Sequence, residues 1–289
     1  MPQHNGVGYS NQYSPIKQAQ FRIVIGTFLG MVKGIFKRWG PGRFQYWDLM
    51  AGTGQSPDRS KPGSAAIFVE EALRLGVPFD AYLFEQNLHR FHDLSALLGH
   101  RDNVSCFQGL HQDNVGMTLS GKNHRARYGM IYVDPNGGVS DTSAINEIIT
   151  APGYDRVDVL IHVAANDGYK RGKTKPIGER IDGVLDSIKK KTWLIREPYT
   201  AHQWTMLVGT DYPAFDRWKT HGFFPVDSEQ GQEWFFKLNY TAAEQKRYIN
   251  RPEAIGVIQN LPGVPCPSPV PGGAKEGDGE GQLDLPNLP

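Results

Sequence analysis

Apolar positions change their period in an orderly way along the chain. Between Phe21 and Phe36 they fall at Phe21, Val24, Ile25, Phe28, Leu29, Val32, Ile35 and Phe36, with Lys33, Lys37 and Arg38 toward the other side. That is the spacing of a helix with one buried stripe, and a core-facing role is expected for it rather than a membrane-surface one. Gly40-Pro41-Gly42 ends it. Short strand-like runs and helical stretches then alternate. Strands are predicted at 44–50, 80–85, 103–108, 128–133 and 157–163, with helices at 65–75, 89–98 and 143–149. Two late strands are predicted at 205–209 and 233–238, separated by a helix near 214–220. Strands spaced by roughly 25 to 35 residues, with helices between them, build βαβ units. The expected fold class is therefore α/β, a Rossmann-like doubly wound and mostly parallel sheet whose last two strands form an antiparallel edge hairpin.

Composition sets the frame for this domain. With 39% hydrophobic and 11% aromatic residues in 289, a sizeable core is available and wholesale disorder is excluded. Residues 1–17 are polar and read as a flexible arm, and 18–250 as the folded domain. Residues 251–289 read as a Pro/Gly-rich disordered tail, since from Pro262 onward there are seven Pro, six Gly and no aromatic residue. No uninterrupted apolar run reaches the roughly 18 to 20 residues that cross a bilayer, and the N-terminus lacks an apolar signal-peptide core. Only Cys106 and Cys266 are present, which argues against a disulfide framework or a Cys-built zinc site. A soluble cytoplasmic protein with no membrane partner is expected.

In a doubly wound sheet, ligands bind at the carboxyl ends of the strands. Three such ends carry suggestive chemistry. The first is Asp48-Leu49-Met50-Ala51-Gly52-Thr53-Gly54, a Gly-x-Gly turn that lets a ligand lie against backbone N–H groups. A dinucleotide site wants a third glycine where Pro57 stands, and a phosphate loop wants a Gly-Lys-Ser/Thr that is absent. The carboxylate of Asp48 suits a ligand with an ammonium group; the alternative is simple turn chemistry. The second is Glu85, at the tip of strand two, where a carboxylate can accept both hydroxyls of a ribose. The third is Val133-Asp134-Pro135-Asn136-Gly137, in which Pro135 keeps Asp134 projecting from the strand end. Asp134 can accept a hydrogen bond from an amine or act as a base, whereas Asn136 can only do the first. A plain turn is the competing reading.

Taken in order, an Asp-x-x-x-Gly-x-Gly loop, a Glu after strand two and an Asp-Pro after strand four resemble class I S-adenosylmethionine-dependent methyltransferases, from about residue 44 to 238. More narrowly, Tyr46 to Gly54, Gly63-Ser64-Ala65, Val133 to Gly137 and the stretch from Asp158 to Lys170-Arg171 resemble the three-Cys-motif partner (TcmP-type) proteins. The resemblance implies S-adenosyl-L-methionine as cofactor. It implies that Ala51, Gly52, Thr53 and Gly54 cradle its methionine part, that Asp48 anchors its amino group directly or through water, and that Glu85 holds the ribose. Gln108 and Gly109 would lie near the adenine, with no acidic residue there unless Asp113 supplies it. Asp134 and Asn136 would position the acceptor, with Pro135 and Gly137 in the same wall. Nucleic-acid amine methyltransferases carry a Pro-aromatic pair where Asn136-Gly137 stands, so no stacking ring comes from that motif. The insertion 55–62 is either a substrate-side lid or a tolerated loop.

The overall net charge of +1 announces no polyanion, but residues 1–60 hold seven Lys/Arg against two Asp. Lys170 and Arg171 open a basic run that can contact phosphates or simply face solvent. The histidines His89, His92, His100, His111 and His124 are dispersed, without the paired spacing of a metal site. A nucleic-acid acceptor is the expected substrate. The alternatives are a cofactor-binding module that works through a protein partner, and a methyltransferase of a protein or small molecule.

Overall fold

The computed structural model describes residues 14–56, 59–119, 128–135, 142–164, 177–199, 204–212 and 218–239. Eight strands form one sheet: β1 Phe44–Asp48, β2 Phe79–Glu85, β3 Val104–Gln108, β4 Tyr128–Val133, β5 Arg156–Ala164, β6 Thr192–Arg196, β7 Trp204–Thr210 and β8 Phe223–Pro225. Their order is β3-β2-β1-β4-β5-β7-β6-β8. The first five are parallel, β7 is antiparallel to both β5 and β6, and β8 is antiparallel to β6. Order reverses between β1 and β4, the crevice where open α/β sheets bind ligands. All five residues of β1 are buried, as a strand covered on both faces requires.

The helices are α1 Ser14–Trp39, α2 Ser64–Leu75, α3 Leu88–Leu98, α4 His111–Leu119, α5 Ser143–Thr150, α6 Ile177–Ser187 and α7 Glu229–Asn239. On one face, α1 and α2 bury Phe21, Ile25, Phe28 and Phe68 against Tyr46, Tyr132 and Trp218. On the other, Ile145, Ile148, Leu185, Trp234 and Phe235 pack on Trp47, Ile131 and Ile161. Helix α1 runs along β4, with Phe21 4.5 Å from Tyr132 and Phe36 6.1 Å from Tyr128, between ring centroids. Its first turn therefore sits at the carboxyl edge of the sheet. By length and mean composition α1 could cross a bilayer, although its apolar residues are not contiguous. Its stripe at Phe21, Val24, Ile25, Phe28, Leu29 and Val32 is instead buried within the domain.

Three expectations need correction. Residues 233–238 are helical, not a strand: Trp234, Phe235 and Leu238 are buried on one face, and Glu233 pairs with Lys237 one turn on at 2.8 Å. The antiparallel hairpin is made by β6 and β7, and β6 was missed because five residues between Lys191 and Glu197 are too short a run to show a period. Residues 14–17, read as arm, form the first turn of α1; Ser14-Pro15 is a helix-start signal. The helix expected near 214–220 lies mostly outside the described residues, as do residues 1–13 and the tail 251–289.

Candidate functional site

The loop after β1 is shaped by backbone bonds to both neighbouring strands. Leu49 N–H donates to Tyr132 O at 3.1 Å and Ala51 N–H to Phe84 O at 2.9 Å, which carries β1 past its end before the chain turns. Gly52 and Gly54 then adopt positive φ, 63° and 73°, which residues with a Cβ take only under strain. The insertion 55–62 leaves and returns at a Gln55–Pro62 bridge, with Ser56 N–H donating to Lys61 O at 2.8 Å. Gly63 closes the excursion by donating to Gly54 O at 2.8 Å. A Cβ on Gly63 would sit 2.9 Å from the Gly54 carbonyl carbon, so the close approach demands glycine. Gly63→Ala should cost about 1–3 kcal/mol of stability, the usual effect of overpacking, and should distort the loop above it. Thermal unfolding checks this, and an unchanged midpoint would show that the loop gives way freely.

Above this loop lies a cavity of about 610 Å³, a size suited to a small-molecule cofactor. Ala51, Gly52, Thr53, Gly54, Glu85 and Asp134 all line it. Glu85 is buried at the β2 tip, and its Oε1 accepts from the Asn87 N–H at 2.7 Å. Oε2 makes no hydrogen bond to the described residues. Leu110 and His111 line the side beyond β3 together with Gly109, while Arg90 and Lys17 bring two cations to the wall.

Asp48 lies one layer below. It is fully buried, its Oδ2 accepts from the Tyr46 hydroxyl at 3.0 Å and from the Ser64 hydroxyl at 2.7 Å, and its Oδ1 accepts from Met50 N–H at 3.2 Å. Ser64 and Met50 line the cavity, whereas Asp48 does not. Burial pushes its carboxyl up to about 6, against the pull of those three hydrogen bonds. The carboxylate thus braces the loop and the start of α2 from beneath, and Ser64 stands between it and the cavity.

Asp134, half-buried at the end of β4, is clasped from two sides. Lys17 Nζ of α1 pairs with Oδ2, and His162 of β5 donates from Nδ1 to Oδ1 at 2.9 Å. Burial alone would raise this carboxyl's pKa. The charge of Lys17, then that of His162, and the hydrogen bonds from both outweigh it and hold the group well below the usual carboxylate range. That direction favours Asp134 as an acceptor of hydrogen bonds over a proton-abstracting base.

Six predicted residues thus meet in one cavity. Gln108 does not join them: it ends an exposed edge strand, and its amide reaches back to Gln86 O at 3.3 Å. The cavity wall beyond β3 is built instead from Gly109 to Gln112, and Asp113 is absent from the lining. Pro135 lies outside the cavity lining, and Asn136, Gly137, Lys170 and Arg171 lie outside the described residues. Lys17, Gln18 and Arg90 were missed. Lys17 stands four residues before Phe21, on the extension of the same helical face, so carrying the period back one turn would have found it.

No protein-family model matches the chain, and no curated protein matches it. Among solved structures it is similar to protein LPL1258 from Legionella pneumophila, at 12% identity and a TM-score of 0.45, over 74% of this chain and 92% of that one. It is also similar to an rRNA methylase from Streptococcus thermophilus, at 12% identity and 0.38, over 65% and 94%. A third likeness is to M. jannaschii TYW2 in complex with AdoMet, at 16% identity and 0.37, over 71% and 77%. These likenesses are of fold. The strand order with its antiparallel β7 places the chain in the class I methyltransferase-like fold.

Proposed function

We propose that this chain is an S-adenosylmethionine-dependent methyltransferase acting on a nucleic acid, with a base amine as acceptor, and that it belongs with the three-Cys-motif partner (TcmP-type) proteins. The observation that carries the reading is that three strand ends far apart in sequence, at Ala51–Gly54, Glu85 and Asp134, converge on one cavity. The residues there fit this cofactor. Gly52 and Thr53 make none of the backbone bonds that shape the loop, so their N–H groups can meet the methionine part. Lys17 and Arg90 supply positive charge for its carboxylate, Glu85 Oε2 an acceptor for a ribose diol, and Leu110 an apolar surface for the adenine.

When bound, the cofactor supplies a methyl group already activated on a sulfonium centre. The protein's part is proximity, orientation and exclusion of water. The first turn of α1 closes the cavity over Asp134, and Asp134 accepts hydrogen bonds from the acceptor amine. Each of its oxygens keeps a second lone pair beside the one engaged by Lys17 or His162, so the incoming amine donates to Asp134 with both clasps in place. With its pKa held low, Asp134 orients that amine and leaves its proton to solvent.

The same double engagement of Asp134 favours a second reading, a cofactor-binding module without transfer activity that works through a protein partner. Calorimetric titration of the full chain with S-adenosylmethionine and with its demethylated product, followed by a transfer assay, separates the two readings. Micromolar binding followed by radiolabelled methyl transfer to DNA or RNA is the expected result. Binding without transfer to DNA, RNA or protein favours the module, and no binding by folded protein removes the cofactor assignment.

A further inference from the structure

Beyond Asp134, the carboxyl edge of the sheet carries a row of side chains the cofactor cavity does not use. Side chains two apart on a strand share a face. Tyr132, Leu160, Leu194 and Trp204 all belong to the core beneath α1, so Asp134, His162 and Arg196, each two residues on from one of the first three, face the same way. Strand β7 is antiparallel and enters at this edge with Trp204 as its first residue. The rings continue the line: His162 lies 5.4 Å from Trp204, and Trp204 5.7 Å from Tyr199, which is only partly buried.

Arg196 ends β6 beside this row. Among the described residues its buried Nη1 has no hydrogen-bond partner, and no carboxylate pairs with the guanidinium. The contact it does make is with a ring, its Cζ standing 6.0 Å from the Phe223 centroid. By contrast Arg22, Arg43 and Arg74, which reach further into solvent, each hold a carboxylate within 2.7 Å. A half-buried cation without an anion is costly, and burial alone lowers its pKa. A planar guanidinium in that position is suited to a phosphate, and the neighbouring rings are suited to a base.

We infer that Arg196 and Tyr199 hold a phosphate and a base of a single-stranded nucleic acid, next to the nucleotide presented at Asp134. The inference rests on the methyltransferase reading for the identity of the reacting site and deepens it by naming the strand's path along the sheet edge. It also supplies, from Trp204 of β7 and from Tyr199 before it, the aromatic surface that the Asp134-Pro135-Asn136-Gly137 turn lacks. A base can reach Asp134 only when out of its stack, which is why the strand is single.

The test is fluorescence anisotropy of the full chain with labelled oligo-dT and oligo-U of about 20 nucleotides, across a salt series from about 50 to 200 mM. Arg196→Gln should weaken binding roughly five- to tenfold and flatten the slope of log affinity against log salt by about 0.7, the loss of one phosphate contact. Arg196→Lys should keep the slope. Tyr199→Ala should weaken binding about fivefold or more with the slope intact, and Tyr199→Phe should bind as the parent does. These conservative variants keep the test readable if a truncation unfolds. Parent affinity and slope in both Arg196→Gln and Tyr199→Ala would overturn the inference. So would failure of the parent to bind either oligonucleotide, or Arg196-dependent binding of polyglutamate in their place. Calorimetry with S-adenosylmethionine on the same proteins separates the two claims: absence of cofactor binding in the parent sinks the methyltransferase reading, whereas the oligonucleotide result judges the strand path alone.

Discussion

Glu85→Ala should weaken S-adenosylmethionine binding roughly 100-fold while leaving the unfolding temperature nearly unchanged. A ribose diol on a buried carboxylate makes two charge-assisted hydrogen bonds, each contributing about 1.5–3 kcal/mol; the lower end, about 3 kcal/mol for the pair, is a factor of somewhat over 100. Stability is spared because the one intramolecular bond lost, from Asn87 N–H, is at a helix N-cap where the Asn87 side chain still accepts from Arg90 N–H at 3.1 Å. Glu85→Gln, which keeps an acceptor oxygen but not the charge, should fall between the two. Calorimetric titration of all three proteins decides the matter. Equal affinities would mean that the ribose lies elsewhere on the wall.

Asp48→Asn should raise stability at pH 8 by on the order of 3 kcal/mol and change it little at pH 4. The sign follows from proton linkage. The folded carboxyl is pushed up to about 6 from an ordinary value of 3.8, so the folded state holds its proton more tightly than the unfolded chain does. Stability from this group is full below about pH 4 and is lost as pH rises through about 6, at about 1.4 kcal/mol for each pH unit between the two values. Asparagine fits the site because its oxygen can still accept from Met50 N–H, while the Tyr46 and Ser64 hydroxyls can turn to accept from its amide. For a domain of this size the gain corresponds to roughly 5–10 °C in the unfolding midpoint at pH 8. Thermal unfolding of both proteins from pH 4 to 8 measures it; parallel curves would show that the buried carboxylate ionises without cost.

What the sequence made legible follows from period and spacing. The parallel half of the sheet was readable because its strands are separate apolar runs, each closed by a turn. Glycines of positive φ and a carboxylate at a strand tip are local signatures, so Ala51–Gly54, Glu85 and Asp134 could be placed before their convergence was visible. What failed was non-local. Nothing within 233–238 separates a strand from a helix until Trp234, Phe235 and Leu238 find the same core face. Nothing near Asp134 announces Lys17, 117 residues away. Asp48 was given a ligand-facing role because its position in the motif is right, yet the hydroxyls that enclose it come from Tyr46 on its own strand and Ser64 on the next helix.

The packing of α1 also bears on how the chain is made. This helix leads the described structure, and its stripe needs partners from across the domain: Phe21 waits for Tyr132, and Phe28 for Trp218, 4.5 Å away in the fold but 190 residues later in synthesis. At about 5–20 residues per second on the ribosome, that wait is on the order of 10–40 seconds. For that interval a nascent segment with the length and composition of a membrane span stands outside the exit tunnel with its apolar side uncovered.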